Sequence, residues 1–276
     1  MNPLIQSIKA KLVSVAKKNQ LPYERLFTHF MLERIVSRLV TDPTLEKHLV
    51  FKGGFVCVHA YHSSRFTIDI DTALYGMDKE TAVEKIKERM QKKFSDHVWF
   101  GYENSMDLVT QGEYGGHRLI YKGGLGDEIP KKGKYQSFHI DIGIGDPITP
   151  AAISLKTGYL LGSGDLSWRV YPPETILAEK LHTLVIRGDE NSRAKDIYDI
   201  YIFLPRVNPE ILMDAISSTF SHRGDLIPES FSKFLSILNR EKLRLGWTRS
   251  VASIRDAKSF DETFDLVIQY LKEFHL

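Results

Sequence analysis

Apolar residues at the start of the chain recur every three or four positions. Leu4, Ile5, Ile8, Leu12 and Val15 keep the spacing of one helix. Pro22 suits the first turn of a second. Phe27, Phe30, Met31, Ile35 and Leu39 give that helix its stripe, and Thr41-Asp42-Pro43 predicts its end. From Val50 short apolar runs alternate with glycines. LVFKGGFVCVHAYHSS predicts a strand, a glycine turn and a buried helix, and FTIDIDTALY predicts a strand. Asp78 to Phe94 predicts an amphipathic helix with Ala82, Ile86 and Met90 on one side. Glycines cluster between 111 and 137, at Gly112, Gly115, Gly116, Gly123, Gly124, Gly126 and Gly133. With pieces such as HRLIYKG they suggest hairpin strands. SFHIDIGIG predicts a further strand.

After Pro172-Pro173 the period becomes helical and stays so. ETILAEKLHTLVIR, RAKDIYDIYIFL, PEILMDAISSTF, PESFSKFLSILNREKLRL and FDETFDLVIQYLKEF all keep it. The pattern predicts N-terminal helices over 1–48 packing on a core, an α/β core over 49–171, and a helical C-terminal part over 172–276.

Composition narrows the function classes. With 42% apolar and 26% charged residues, the chain has ordinary globular usage rather than that of a disordered or fibrous protein. One cysteine, Cys57, excludes an intrachain disulfide and a Cys-rich zinc site, and is expected as a small buried residue. No apolar run approaches membrane-spanning length, and the N-terminus lacks the apolar core of a signal peptide. The expectation is a cytoplasmic protein with no membrane partner. Net charge is only +2, but two segments are basic. Residues 1–50 carry eight Lys and Arg against four Asp and Glu, and residues 240–258 carry six against two. Each is either a solvated helix face or a surface for a polyanion.

The chemistry concentrates at Lys52-Gly53-Gly54 and Ser64-Arg65-Phe66-Thr67-Ile68-Asp69-Ile70-Asp71. Successive strand side chains alternate faces, so Ile68 and Ile70 are expected in the core, with Thr67, Asp69 and Asp71 sharing the other side. Two like charges ~4 Å apart cost about 4 kcal/mol at an effective dielectric near 20. A cation relieves that repulsion, and hard oxygen ligands suit Mg²⁺ beside a phosphate. Gly53 and Gly54 let backbone approach such a phosphate closely. Phe138 to Ile144 repeats the alternation with His139 and Asp141 outward. If it lies beside the Asp69 strand, Asp141 completes three carboxylates, the arrangement of two-metal phosphoryl transfer. His59 and His62 stand three apart but have no third ligand nearby in sequence, so packing is expected of them.

FKGGFVCVHAYHSSRFTIDID resembles the lead motif of the AbiEii-type nucleotidyltransferase toxins. These are abortive-infection, type IV toxin–antitoxin proteins that include the MenT toxins, within the polymerase-β-like superfamily. PPETILAEKLHTLVIR and RAKDIYDIYIF resemble the family's downstream motifs, in the right order over about residues 30 to 205. Phe55, His59 and His62 depart from the pattern, and no motif is recognisable in the chain beyond. The resemblance implies an α+β fold: a mixed sheet with flanking helices plus a helical C-terminal domain. It also implies Mg²⁺-dependent transfer of a nucleotide from an NTP to the 3′ end of tRNA, and an antitoxin encoded by an adjacent gene.

On this resemblance Asp69 and Asp71, with Asp141, hold metal. Lys52, Gly53, Gly54 and Arg65 bind nucleotide, and Lys180 and Asp196 belong to the active site. In the first downstream helix Leu177, Leu181 and Leu184 form the buried stripe, while Lys180 lies on a neighbouring face. It is either a point charge for a triphosphate or a snorkelling surface lysine. Asp196 and Asp199 share a helix face; Asp196 is read as a base or an orienting group for Lys180. Asp199 is read as structural, for instance paired with Lys195. A transferase acting on a small molecule or protein side chain, and a catalytically silent nucleotide-binding partner protein, are the alternatives.

Overall fold

The computed structural model describes residues 2–108, 115–126, 135–188, 194–252, 254 and 256–276. The chain divides into two units. Unit 1 comprises Met1–Ala60, Thr67–Gly145 and Ser154–Val170; unit 2 comprises Tyr61–Phe66, Asp146–Ile153 and Tyr171–Leu276. No described helix is long and apolar enough to cross a membrane.

In unit 1 the N-terminal periodicity forms α1 (Pro3–Asn19) and α2 (Tyr23–Val40). Asp42-Pro43 does end α2, but it also starts α3 (Pro43–His48). The Asp42 carboxylate accepts from the Thr44 and Leu45 amides at 2.9 and 3.1 Å, with proline at the first helical position. Then follow β1 (Leu49–Lys52), α4 (Gly53–His59), β2 (Asp69–Leu74), α5 (Lys79–Gln91), β3 (Val98–Leu108), β4 (Gly116–Leu125), β5 (Gln136–Ile144), β6 (Ile153–Gly158) and β7 (Asp165–Val170). The seven strands form one mixed sheet ordered β3-β4-β5-β2-β1-β7-β6. The α+β expectation is met.

The register follows the alternation of side chains. Ile70, Thr72, Leu119, Tyr121, Phe138, Ile140 and Ile142 are buried on one face. The interleaved residues Asp69, Asp71, His139, Asp141 and Arg118 are only partly covered. The strand starts later than the alternation suggests. β2 begins at Asp69, so Ile68 lies outside it and is 44% exposed rather than in the core. In β4, a Cβ on Gly123 would lie 2.8 Å from the Phe100 ring and 2.9 Å from Met31, so packing of large side chains against bare backbone explains that glycine. Gly112 and Gly133 fall outside the described residues.

Arg38, 1% exposed, fixes α2 to the chain entering β3. Its guanidinium donates to both Asp96 oxygens at 2.7 and 2.9 Å and to the Val98 carbonyl at 2.9 Å. The family departures Phe55 and His59 are packing residues. Phe55 stacks on His59 at 5.2 Å, and both meet the Trp168 ring edge-on. His62 lies beyond the end of α4, in a left-handed conformation at φ 57°. Cys57 is fully buried.

Unit 2 is helical, with α6 (Pro173–Arg187), α7 (Ala194–Phe203), α8 (Pro209–His222), α9 (Phe231–Ile237), α10 (Arg240–Arg244), α11 (Trp247–Val251) and α12 (Phe260–Glu273). The stretch PESFSKFLSILNREKLRL, which reads as one helix, is two. Leu238 is extended, and the Asn239 side chain caps a new start by accepting from the Lys242 amide at 3.2 Å. α12 opens with a capping box between Ser259 and Glu262 and buries Phe260, Phe264, Val267, Ile268 and Leu271.

Candidate active site

Four strands of unit 1 put charged residues in one row. Lys52 of β1 pairs with Asp71 of β2, Asp71 with Asp141 of β5, and Asp141 with Arg118 of β4. Register partners point to the same side of a sheet. The row therefore reads cation, carboxylate, carboxylate, cation across β1-β2-β5-β4. One pleat along, Asp69 pairs with His139, whose Nδ1 lies 2.9 Å from Asp69 Oδ1.

Gly53 closes on this row from the β1–α4 turn. It has φ +68°, and a Cβ there would lie 1.9 Å from Asp71 Oδ2 and 2.6 Å from its Cγ. Only a residue without a side chain lets the backbone pass so near that carboxylate in that conformation. The Lys52-Gly53-Gly54 motif and the Asp-x-Asp motif, separated in sequence, thus meet in space.

Asp141 lies beside Asp71 in register, as the alternation predicts, but not as an open third carboxylate. Arg118 grips it with both arms, Nε to Oδ1 at 2.7 Å and one terminal nitrogen to Oδ2 at 2.6 Å. Hydrogen bonding to Asp141, reinforced by the charges of Asp69 and Asp71, pushes the Arg118 pKa above its ordinary value. Among the described residues no group of three or more acidic, histidine or cysteine side chains has the arrangement to hold a metal ion. Arg118, on β4, is not among the residues the sequence motifs place at this site. Arg118 stands two residues past Gly116 in an alternating strand, so its outward direction was readable; its register against Asp141 was not.

Unit 2 holds the other expected residues in one buried network. Lys180 Nζ lies 3.0 Å from Asp196 Oδ1 and 2.6 Å from Asp199 Oδ2. Arg65 Nε donates to Asp199 Oδ1 at 2.7 Å. Both aspartates are fully buried, and Arg65 and Lys180 are 7% and 8% exposed. Lys180 is therefore no snorkelling surface lysine. Asp199 is not on the surface but is a second carboxylate on the same ammonium. Arg65, expected at a nucleotide, has its guanidinium committed to Asp199.

Two arginines of the second basic segment are paired with acids from α12. Arg240 pairs with Asp265 at 2.8 Å and Arg244 with Asp261 at 2.7 Å. Arg255 lies outside the described residues. By contrast α1 contains no acidic residue, and Lys11, Lys17 and Lys18 on it are exposed.

The family model described as nucleotidyl transferase AbiEii toxin, type IV TA system, matches residues 34–267. That span runs well past residue 205, into the stretch where no motif was recognisable. No curated protein matches the chain. Solved structures similar to the chain include two from Helicobacter pylori. A candidate nucleotidyltransferase from H. pylori is 14% identical with a TM-score of 0.53, over 92% of this chain and 96% of that one. JHP933 from Helicobacter pylori is 14% identical with a TM-score of 0.52, over 90% of each chain. At such identities the likeness is one of fold.

Proposed function

Because the chain belongs to the AbiEii nucleotidyltransferase toxin family of type IV toxin–antitoxin systems, we propose that its Asp69–Asp71 face transfers a nucleotide from an NTP to the 3′ end of tRNA. Nucleotidyl transfer, an NTP substrate and an antitoxin partner follow from the family. The tRNA acceptor, Mg²⁺, the residue roles and an antitoxin encoded by the neighbouring gene are the proposal. The observation that carries it is the contact of Gly53 with Asp71 inside a row flanked by Lys52 and Arg118.

The donor chemistry of Asp69 and Asp71 fits Mg²⁺, which takes one or two carboxylates and fills its remaining positions with water and phosphate oxygens. Gly53, lacking a Cβ, lets the Asp71 carboxylate lie against the turn that opens α4. Bound there, Mg²⁺ would neutralise the pyrophosphate and lower the pKa of the acceptor hydroxyl. Lys52 adds a positive charge in the same row, and the backbone of Gly53 and Gly54 lets a phosphate come close. His139 orients Asp69 through Oδ1.

Resemblance to the family's downstream motifs assigns Lys180 to the triphosphate. The 3.0 Å contact with Asp196 supports an orienting role for that aspartate, which fixes the ammonium. Catalysis on this reading is positioning and charge stabilisation.

The test is incubation of the purified chain with each labelled NTP, Mg²⁺ and total RNA, resolved on a denaturing gel. Label should appear in tRNA-sized RNA and be lost after 3′ exonuclease treatment. Label confined to protein or a small molecule would overturn the acceptor assignment.

A further inference from the structure

Asp141 shares a face with Asp69 and Asp71, yet the sheet has already matched it with a cation. Three features fix the match. Arg118 and Asp141 are direct register partners on β4 and β5. The contact is bidentate, at 2.7 and 2.6 Å, so both carboxylate oxygens have a guanidinium nitrogen in line. Both side chains are largely covered, at 28% and 14% exposure. A planar fork on a carboxylate, partly shielded from water, is among the stronger polar contacts a protein makes. At Asp69 the contact is with a single imidazole nitrogen, His139 Nδ1 at 2.9 Å, rather than with a two-armed guanidinium.

We propose that Arg118 withholds Asp141 from the metal, so that the site binds its cation on Asp69 and Asp71 alone and Asp141 acts as a positioning residue. This rests on the metal reading of Asp69 and Asp71 given above. Its physical basis is charge. A third open carboxylate would raise the repulsion within the row, and the Arg118–Asp141 pair contributes no net charge to it. In return Asp141 holds the guanidinium at one end of the row, with Lys52 at the other. The removal of Arg118 should therefore release a latent ligand.

The experiment titrates Mn²⁺, which suits the same carboxylate ligands as Mg²⁺, into the purified full chain without nucleotide. Free Mn²⁺ is read by its paramagnetic resonance signal. Urea unfolding of every variant confirms that it is folded. Asp69→Asn and Asp71→Asn should each weaken binding by about tenfold or more, equivalent to about 1.4 kcal/mol. Asp141→Asn, which keeps an oxygen for Arg118 but leaves its charge unbalanced, should weaken binding by no more than about threefold, under about 0.7 kcal/mol. Arg118→Gln should tighten binding, and the gain should vanish in Arg118→Gln with Asp141→Asn.

If Asp141→Asn weakens Mn²⁺ binding as much as Asp69→Asn does, Asp141 is a ligand and the inference is overturned. If Arg118→Gln leaves affinity unchanged, Arg118 withholds nothing and the inference equally fails. If Asp69→Asn and Asp71→Asn bind as wild type does, the metal reading beneath it falls as well. Which variants move the affinity tells the two failures apart.

Discussion

Gly53→Ala makes the sharpest demand on the site. Two costs follow from the structure. A non-glycine residue at φ +68° carries the left-handed penalty of about 1–2 kcal/mol. The new Cβ would also lie 1.9 Å from Asp71 Oδ2, so the carboxylate must swing away. Gly145 separates the two costs, because it has φ +77° but nothing within 4 Å of a built Cβ. Gly145→Ala should lose about 1–2 kcal/mol in urea unfolding and keep its transfer activity. Gly53→Ala should lose at least as much stability and, with a ligand displaced by an ångström or more, transfer about 100-fold more slowly. The assay is incorporation of labelled nucleotide under single-turnover conditions, at a temperature where both variants are folded. Equal activity in the two variants would show that the closeness of Gly53 to Asp71 has no bearing on the chemistry.

Lys180→Met removes the ammonium that meets two fully buried carboxylates, and should cost about 3–5 kcal/mol in urea unfolding; Asp196→Asn in that background should recover part of the loss, and no recovery would mean the network does not balance charge as drawn. Burial lowers the His29 pKa from 6.5 to about 4, so the fold favours the neutral ring. The stability this represents is present above pH 6.5 and is lost as pH falls toward 4, by about 3 kcal/mol. Glu33, pushed up by burial, works in the opposite direction, so the measurement is the difference between wild type and His29→Gln across that window, and a flat difference would refute the His29 assignment. If tRNA is the acceptor, replacing Lys11, Lys17 and Lys18 with Gln should raise the KM for RNA and reduce its salt slope, whereas Arg244→Gln, which removes an arginine already paired with Asp261, should change it little; the reverse ranking would return the RNA surface to the 240–258 segment.

What was legible in the sequence had a local cause. The alternation through Phe138–Ile144 placed Asp141 on the outward face, and its three-to-four spacing identified α12. The Gly-Gly and Asp-x-Asp motifs were readable as one site because few other arrangements explain them together. Capping decided what was missed at two boundaries: Asp42-Pro43 ends α2 as expected but also starts a short helix, and Asn239 breaks one run into α9 and α10. The strands β6 and β7 were not anticipated, because ISLKTG and DLSWRV are short, polar at alternate positions and defined by their sheet partners. The matching of Arg118 with Asp141, of Arg65 with Asp199 and of Arg244 with Asp261 is long-range. Periodicity says which way a side chain points, and only register or tertiary packing says which charge it meets. That is why the outward direction of Asp141 was legible and its partner Arg118 was not, and why Arg240 and Arg244 were counted without the acids that face them.

The most direct test of the central claim is nucleotide transfer by Asp69→Asn with Asp71→Asn, compared with wild type, using labelled NTP, Mg²⁺ and total RNA. Both residues are partly exposed and neither supports the core, so the variant should fold and unfold in urea like the parent. The account predicts label in RNA for wild type, none above background for the double variant, and none for wild type with EDTA. Incorporation by the double variant at the wild-type rate would contradict it and move the active site away from the Asp69–Asp71 face.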